Sequence, residues 1–152
     1  MKIFTAALLA ISSIALLAQQ PNGAGVNSPW PSSQVISPAD LARSLKGLDA
    51  AILQVGFAKL YDVKHIPGSI YAGPASHDLE PLKKALAGVP KNREIVLYCG
   101  CCPWDHCPNM KPAYNLLKSL GYTKIKVMEI PNNFGSDWVD KGYPVEGSAA
   151  TK

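Results

Sequence analysis

The amino-acid sequence predicts an α/β fold, a single domain with a central parallel sheet and helices on both faces. Short apolar runs of strand length alternate along the chain with segments of helical periodicity, and this order is typical of a parallel sheet. The chain has 152 residues, of which 47% are hydrophobic and 17% charged. That composition supports one sizeable core and excludes a mainly disordered chain.

The individual elements follow from capping residues and apolar positions. Ser37 before Pro38 predicts the start of the first helix, because serine caps helix N-termini and proline fits the first turn. Gly88 and Gly121 stand where two later helices would end. The resulting assignment has helices at 38–48, 78–87, 112–120 and 134–139, strands at 51–55, 94–98 and 124–130, and a proline–glycine turn at 61–68.

All the cysteines of the chain lie in one short segment that directly follows the apolar run 95–98. They are Cys99, Cys101, Cys102 and Cys107. The carboxyl ends of parallel strands face the ligand crevice of the sheet, so thiols placed there are available for chemistry. The sequence therefore predicts an active site centred on cysteine.

Residues 1–18 are predicted to be a secretory signal peptide, because Lys2 is followed by an uncharged apolar run that ends near Ala18. This run is shorter than the roughly 20 apolar residues of a membrane-spanning helix, so no stable membrane span is expected after cleavage. Residues 19–33 are predicted to form a flexible leader, and 34–148 the folded domain. The expected location is the periplasm or the outside of the cell.

The charge of the chain argues against two classes of partner. Without Lys2, 14 basic and 11 acidic residues remain, and no basic run or basic stripe with interleaved aromatic residues is present. Nucleic acids and anionic membranes are therefore poor candidates.

Several segments resemble a rhodanese domain in their order and spacing, and together they span 36–146. They are ISPADL at 36–41, HIPGSI at 65–70, IVLYC at 95–99, LLKSLGY at 116–122, and Trp138 followed by GYPV at 142–145. The resemblance implies that Cys99 is the nucleophile of a sulfurtransferase. Such a protein moves sulfane sulfur, as a cysteine persulfide, from a small sulfur-containing donor to a thiol acceptor.

Elementary physical chemistry supports the same role for Cys99. A strand that turns through a loop into a helix directs backbone N–H groups inward, and the helix terminus adds partial positive charge. The N–H groups of Gly100 to Cys102 are expected to stabilise a thiolate and then a persulfide anion. No cofactor is needed for this chemistry.

The segment departs from the family in two places. The strand before the His-Ile-Pro-Gly turn ends in Gln54-Val55-Gly56, where the family commonly has an Asp-Val-Arg-like sequence. The loop 100–111 is long, Lys111 is its only lysine or arginine, and Asp105 adds a negative charge. Weak binding of a thiosulfate dianion is therefore expected. A phosphatase or arsenate reductase is disfavoured, since these need a loop arginine and none follows Arg93.

The additional thiols allow three interpretations. Cys102 could resolve a disulfide on Cys99, as in a thiol–disulfide redox protein that works with a redox partner. Cys107 could instead pair with Cys102 and pin the loop. The four thiols could also bind Zn²⁺ or Cu(I).

Other loop residues are candidates for supporting roles. His106 could stabilise a thiolate or relay a proton, or it could be a solvated loop residue. Trp104 could cover a small substrate or anchor the loop by burial. The predicted substrate-binding set is Gly100, Cys101, Trp104, Asp105 and Lys111.

Overall fold

Five parallel strands form the centre of the protein in a computed structural model that describes residues 28–148. The strands are β1 (Val35–Ile36), β2 (Ala50–Gln54), β3 (Ile70–Tyr71), β4 (Glu94–Tyr98) and β5 (Ile125–Met128). They are hydrogen-bonded in the order β1-β5-β4-β2-β3, and every neighbouring pair is parallel. The predicted α/β class and parallel sheet are confirmed.

Four α-helices connect these strands. They are α1 (Pro38–Ser44), α2 (Ala58–Val63), α3 (Glu80–Ala85) and α4 (Met110–Ser119). Parallel crossovers are right-handed, so the reversal of direction after β3 puts α1 and α2 on one face of the sheet and α3 and α4 on the other. A 3₁₀ turn (Leu45–Gly47) follows α1, and a π-helical turn (Gly135–Val139) lies near the C-terminus.

This topology places a crevice at the carboxyl ends of β2 and β4. The chain leaves β2 toward one edge of the sheet and leaves β4 toward the other, which makes their shared boundary the switch point where open α/β sheets bind ligands. Gln54 at the end of β2 is in register with Tyr98 at the end of β4. The thiol segment begins with the next residue, Cys99.

The central strand β4 carries the core. Ile95, Val96 and Leu97 are fully buried, as expected for a strand that is covered on both faces. The side-chain hydroxyl of Tyr98, the last residue of β4, accepts a hydrogen bond from the backbone N–H of Ile66 at 3.2 Å. This contact ties the turn before β3 to the strand that ends at the thiols.

Helix α1 begins as predicted and ends early. The Ser37 hydroxyl accepts a hydrogen bond from the Asp40 N–H at 3.1 Å, which confirms the cap. The α-helix stops at Ser44, and the predicted remainder continues as the 3₁₀ turn.

Helix α4 begins two residues before the predicted position, Pro112. Proline is tolerated there because the first N–H groups of a helix have no partner within it. Other predicted elements are longer than the observed ones: α3 covers Glu80–Ala85 instead of 78–87, and β5 covers Ile125–Met128 instead of 124–130.

Helix α2 was not predicted, since the sequence indicated only a turn at 61–68. Its N-cap residue, Phe57, makes no side-chain capping bond, and none of its residues is buried. The sequence therefore has no capping side chain to mark its start, and with six residues it is shorter than a typical helix. The turn itself is present, with Gly68 at φ +70° and a Ser69 N–H bond to the Ile66 carbonyl at 3.0 Å.

The predicted signal peptide 1–18 and residues 19–27 of the predicted leader lie outside the described residues. Near the start of the described range, Trp30 is buried, and its ring centroid lies 4.7 Å from that of Tyr114 on α4. Within residues 28–148, no helix is both long enough and apolar enough to cross a membrane.

Candidate active site

The loop from β4 to α4 brings all four thiols together. Their Sγ atoms lie within 4.8 Å of one another. The shortest separations are 3.4 Å between Cys99 and Cys101 and 3.2 Å between Cys101 and Cys102. All four cysteines are free thiols, with Cys99 and Cys107 buried and the other two half-buried. The predicted cysteine-centred cluster therefore exists as a compact group.

Cys99 is the thiol with the strongest set of hydrogen-bond donors. Its pKa is lowered from the ordinary value of 9.0 to about 6, chiefly by the hydrogen bond from the Cys107 thiol. Burial opposes this shift, and the backbone N–H and thiol of Cys101 and the side chain of Asn109 add to it. A backbone N–H of the predicted segment, that of Cys101, thus faces the sulfur. The lowered pKa favours the thiolate form of Cys99 over the thiol.

Two of the neighbouring thiols, those of Cys107 and Cys101, have a raised pKa. The pKa of Cys107 is raised by its hydrogen bond to Cys99 and by burial. The pKa of Cys101 is raised first by burial and then by the Cys102 thiol and the negative charge on Cys99. Because like charges at this range repel, a thiolate on Cys99 disfavours ionisation of Cys101 and Cys107.

Asn109 is a site residue that the sequence analysis did not single out. It is buried, and its Nδ2 lies 3.8 Å from Cys99 Sγ. Its Oδ1 accepts hydrogen bonds from Ser76, at 3.0 Å from the backbone N–H and 2.7 Å from the hydroxyl. These two bonds fix the orientation of the amide, so its N–H₂ group is directed to the sulfur.

The end of β2 forms the opposite side of the site. A Cβ added to Gly56 would lie 3.1 Å from Cys99 Sγ, so the chain passes the thiol at a position where only glycine fits without displacement. The Gly56 N–H donates to Oε1 of the buried Gln54 at 3.1 Å. The Gln54-Val55-Gly56 sequence therefore places a neutral amide and a close backbone approach beside the Cys99 thiol.

Other predicted site residues have contacts of their own in and beside the loop. The side chain of His106 is 82% exposed, and its Nδ1 pairs with Asp105 Oδ1 at 2.9 Å. The hydrogen bond from His106 lowers the pKa of Asp105. Lys111 is exposed in the first turn of α4. Trp104 is buried, and its backbone N–H donates to the Ile130 carbonyl at 2.9 Å, which is a loop-anchoring position.

A pocket of about 240 Å³ adjoins the thiol loop at Gly100. Gln54 and Phe134 line it together with Lys59 on α2 and Lys64 directly after this helix. These two lysines supply the positive charge that the loop sequence lacks, and they were missed because α2 itself was not predicted. A larger groove of about 750 Å³ between β3 and α3 has no thiol-loop residue in its lining.

A model of the rhodanese-like domain family matches residues 37–129. The chain belongs to the rhodanese-like domain family. The matched segment includes β4, Cys99 and the whole thiol loop, and the resemblance inferred from the sequence is confirmed. A comparison with characterised proteins finds no significant match.

Solved structures share this rhodanese-like fold. A rhodanese-like domain from Anabaena sp. is 24% identical, with a TM-score of 0.58, over 78% of this chain and 83% of that one. A protein from Bacillus halodurans is 21% identical, with a TM-score of 0.61, over 77% of this chain and 79% of that one. A thiosulfate sulfurtransferase from Pseudomonas aeruginosa is 24% identical, with a TM-score of 0.56, over 77% of this chain and 20% of that longer one.

Proposed function

We propose that this rhodanese-like domain is a sulfurtransferase that carries sulfane sulfur on Cys99. The observation that carries the proposal is the buried thiol at the carboxyl end of the central strand, which receives hydrogen bonds from Cys107, Cys101 and Asn109. A nucleophile with a lowered pKa is what attack on a sulfur donor requires. Family membership and the fold shared with a thiosulfate sulfurtransferase support the same reaction.

The reaction needs no external oxidant or reductant. In the first half, the Cys99 thiolate attacks the outer sulfur of a donor such as thiosulfate, the S–S bond of the donor breaks, and sulfite leaves with the electron pair. In the second half, a thiolate acceptor attacks the outer sulfur of the Cys99 persulfide, which restores the Cys99 thiolate. The donors around Sγ stabilise the anion at every stage.

The pocket beside Gly100 offers a binding position for an anionic donor. Lys59 and Lys64 bring two positive charges to its wall, while its remaining lining is largely apolar. An anion bound there gains the attraction of both lysines at short range. Asp105, which the sequence analysis expected to repel thiosulfate, is paired with His106.

The first test is intact-mass analysis of the reduced, metal-free protein before and after incubation with thiosulfate or a polysulfide. The expected result is a gain of one sulfur atom on Cys99, which cyanide removes as thiocyanate. Cys99→Ser should abolish both the gain and the turnover, whereas Cys101→Ser should retain much of each. Equal losses from the two variants would contradict a single nucleophile and indicate a shared role for the cluster.

A second candidate function is thiol–disulfide exchange, which the short distance between Cys99 and Cys101 favours. Their sulfurs are 3.4 Å apart, so Cys101 is placed to attack a mixed disulfide on Cys99 and release the partner thiolate. The sequence analysis had assigned this role to Cys102. Loss of two hydrogens, mapped to Cys99 and either neighbour, without any added sulfur would favour this function over sulfur transfer.

We also propose that the domain acts after export. The apolar run after Lys2 motivates this location, which is tested by fractionating cells that produce the full chain. A shortened protein in the periplasmic or secreted fraction is expected. Retention of the full-length chain in the cytoplasm would overturn the proposal.

A further inference from the structure

The four sulfurs of the thiol cluster are spaced closely enough to bind one metal ion as a tetrathiolate. A tetrahedral Zn²⁺ site has Zn–S bonds of about 2.3 Å, which puts its sulfurs about 3.8 Å apart. The observed separations of 3.2 and 3.4 Å, with all four sulfurs within 4.8 Å, bracket that value.

The ligand chemistry is uniform. Four sulfurs form the cluster without a carboxylate, and this donor set selects Zn²⁺ or a similarly soft ion over Mg²⁺ or Ca²⁺. The nearest candidate for a nitrogen ligand, His106, is turned outward and paired with Asp105. The sulfurs therefore account for a complete four-coordinate shell by themselves.

The surroundings of the cluster suit a negatively charged metal complex. Asn109 donates a hydrogen bond to Cys99 and is itself held by Ser76, which is the outer-shell arrangement that orients metal ligands. The ten-residue helix α4 begins at Met110, directly after this loop, and its N-terminus provides partial positive charge.

We propose that Cys99, Cys101, Cys102 and Cys107 bind one Zn²⁺ ion per chain as a tetrathiolate. Binding is a ligand exchange without electron transfer: the ion takes the place of the thiol protons, which are released to the solvent. This site does not depend on the proposed sulfur transfer. It competes with that reaction, because the Cys99 lone pair that attacks the donor is used in the Zn–S bond.

The test uses the full chain, reduced and stripped of metal. Zn²⁺ is added and its stoichiometry is measured by native mass spectrometry, while Co²⁺ in its place reports the ligands by its sulfur-to-metal charge-transfer absorption. One ion per chain and a tetrathiolate Co²⁺ spectrum are expected. X-ray absorption should show four sulfurs at about 2.3 Å from zinc.

The variants are made at Cys101 and Cys102, which are half-buried, so that a loss of zinc binding can be told apart from a loss of folding. Cys101→Ser and Cys102→Ser should each weaken Zn²⁺ binding by at least about 100-fold, while circular dichroism and thermal unfolding confirm the fold. His106→Gln is the matched control, since this exposed side chain lies in the same loop and is outside the cluster. It should bind zinc as the parent does.

Three results would overturn the metal site. The first is the absence of stoichiometric zinc binding, and the second is one ion shared between two chains. The third is the wrong pattern among the variants: zinc binding weakened by His106→Gln, or zinc binding unaffected by both cysteine variants. The sulfur-loading assay on the metal-free protein is separate, so a failed metal site leaves the sulfurtransferase test intact. If both proposals hold, stoichiometric zinc should block sulfur loading and a chelator should restore it.

Discussion

Asn109 directs its side-chain nitrogen to Cys99 Sγ at 3.8 Å because its amide oxygen is held by Ser76. The Ser76 hydroxyl donates a hydrogen bond to that oxygen at 2.7 Å. Cys99 and Asn109 stand at the two ends of the loop between β4 and α4, and Ser76 comes from the segment between β3 and α3. The donor acts on the charged form of the thiol, so its removal has a measurable consequence for the pKa.

Asn109→Ala should raise the pKa of Cys99 by up to about one unit, because a hydrogen bond to the thiolate is lost. The pH dependence of alkylation by iodoacetamide measures this shift. Asn115→Ala is the matched control, since Asn115 is exposed on the same helix. An unchanged alkylation profile in Asn109→Ala would show that this amide does not stabilise the anion.

Stability should depend on pH through the same thiol. The pKa of Cys99 is about 6 in the folded protein and 9.0 ordinarily, so between these values the unfolded chain binds more protons. The free energy of unfolding of the metal-free protein should therefore rise with pH over that window, and this stabilisation is lost as the pH falls through about 6. Urea unfolding in reductant measures it. The same slope in Cys99→Ser would assign the effect to other groups.

Gly56→Ala tests the close approach of β2 to the thiol. The new Cβ would lie 3.1 Å from Cys99 Sγ and 3.0 Å from Gln54 Nε2. Overpacking of this kind costs about 1–3 kcal/mol of unfolding free energy, and we expect slower sulfur loading as the sulfur is displaced. Gly47→Ala serves as the control, because a Cβ there meets nothing within 4 Å. Equal effects from the two variants would refute a specific clash.

The two pocket lysines, Lys59 on α2 and Lys64 directly after it, are tested by their effect on an anionic donor. Lys59→Ala combined with Lys64→Ala should reduce the second-order rate of sulfur loading from thiosulfate about two- to fivefold, since partly exposed charges contribute modestly. The dependence of this rate on salt should weaken as well. Lys118→Ala, an exposed lysine on α4, should change neither quantity. A salt dependence that is equal in the double variant and the parent would place the donor elsewhere.

Local sequence signals predicted much of this fold. Ser37 caps α1 through a hydrogen bond three residues away, and β4 is a continuous apolar run, so each is specified by its own segment. The position of Cys99 follows from β4 for the same reason. Helix α2 lacks a capping side chain, and its apolar residues Leu60 and Val63, although spaced as in a helix, are exposed and do not pack into the core.

The parts of the site that depend on distant contacts could not be predicted. Asn109 acquires its orientation from Ser76, and Lys59 reaches the pocket only through the placement of α2. His106 illustrates the reverse case. Its position among the cysteines suggested a catalytic role, but loop geometry turns its ring outward to Asp105.

The two outermost strands of the sheet, β1 and β3, contain two residues each. The outer border of a sheet carries unpaired N–H and C=O groups that can recruit a strand from another molecule, and a border this short presents few of them. Both long strands of the sheet, β2 and β4, are enclosed between neighbours. The domain can therefore keep reactive thiols at the end of its sheet at high protein concentration with little tendency to aggregate through strand addition.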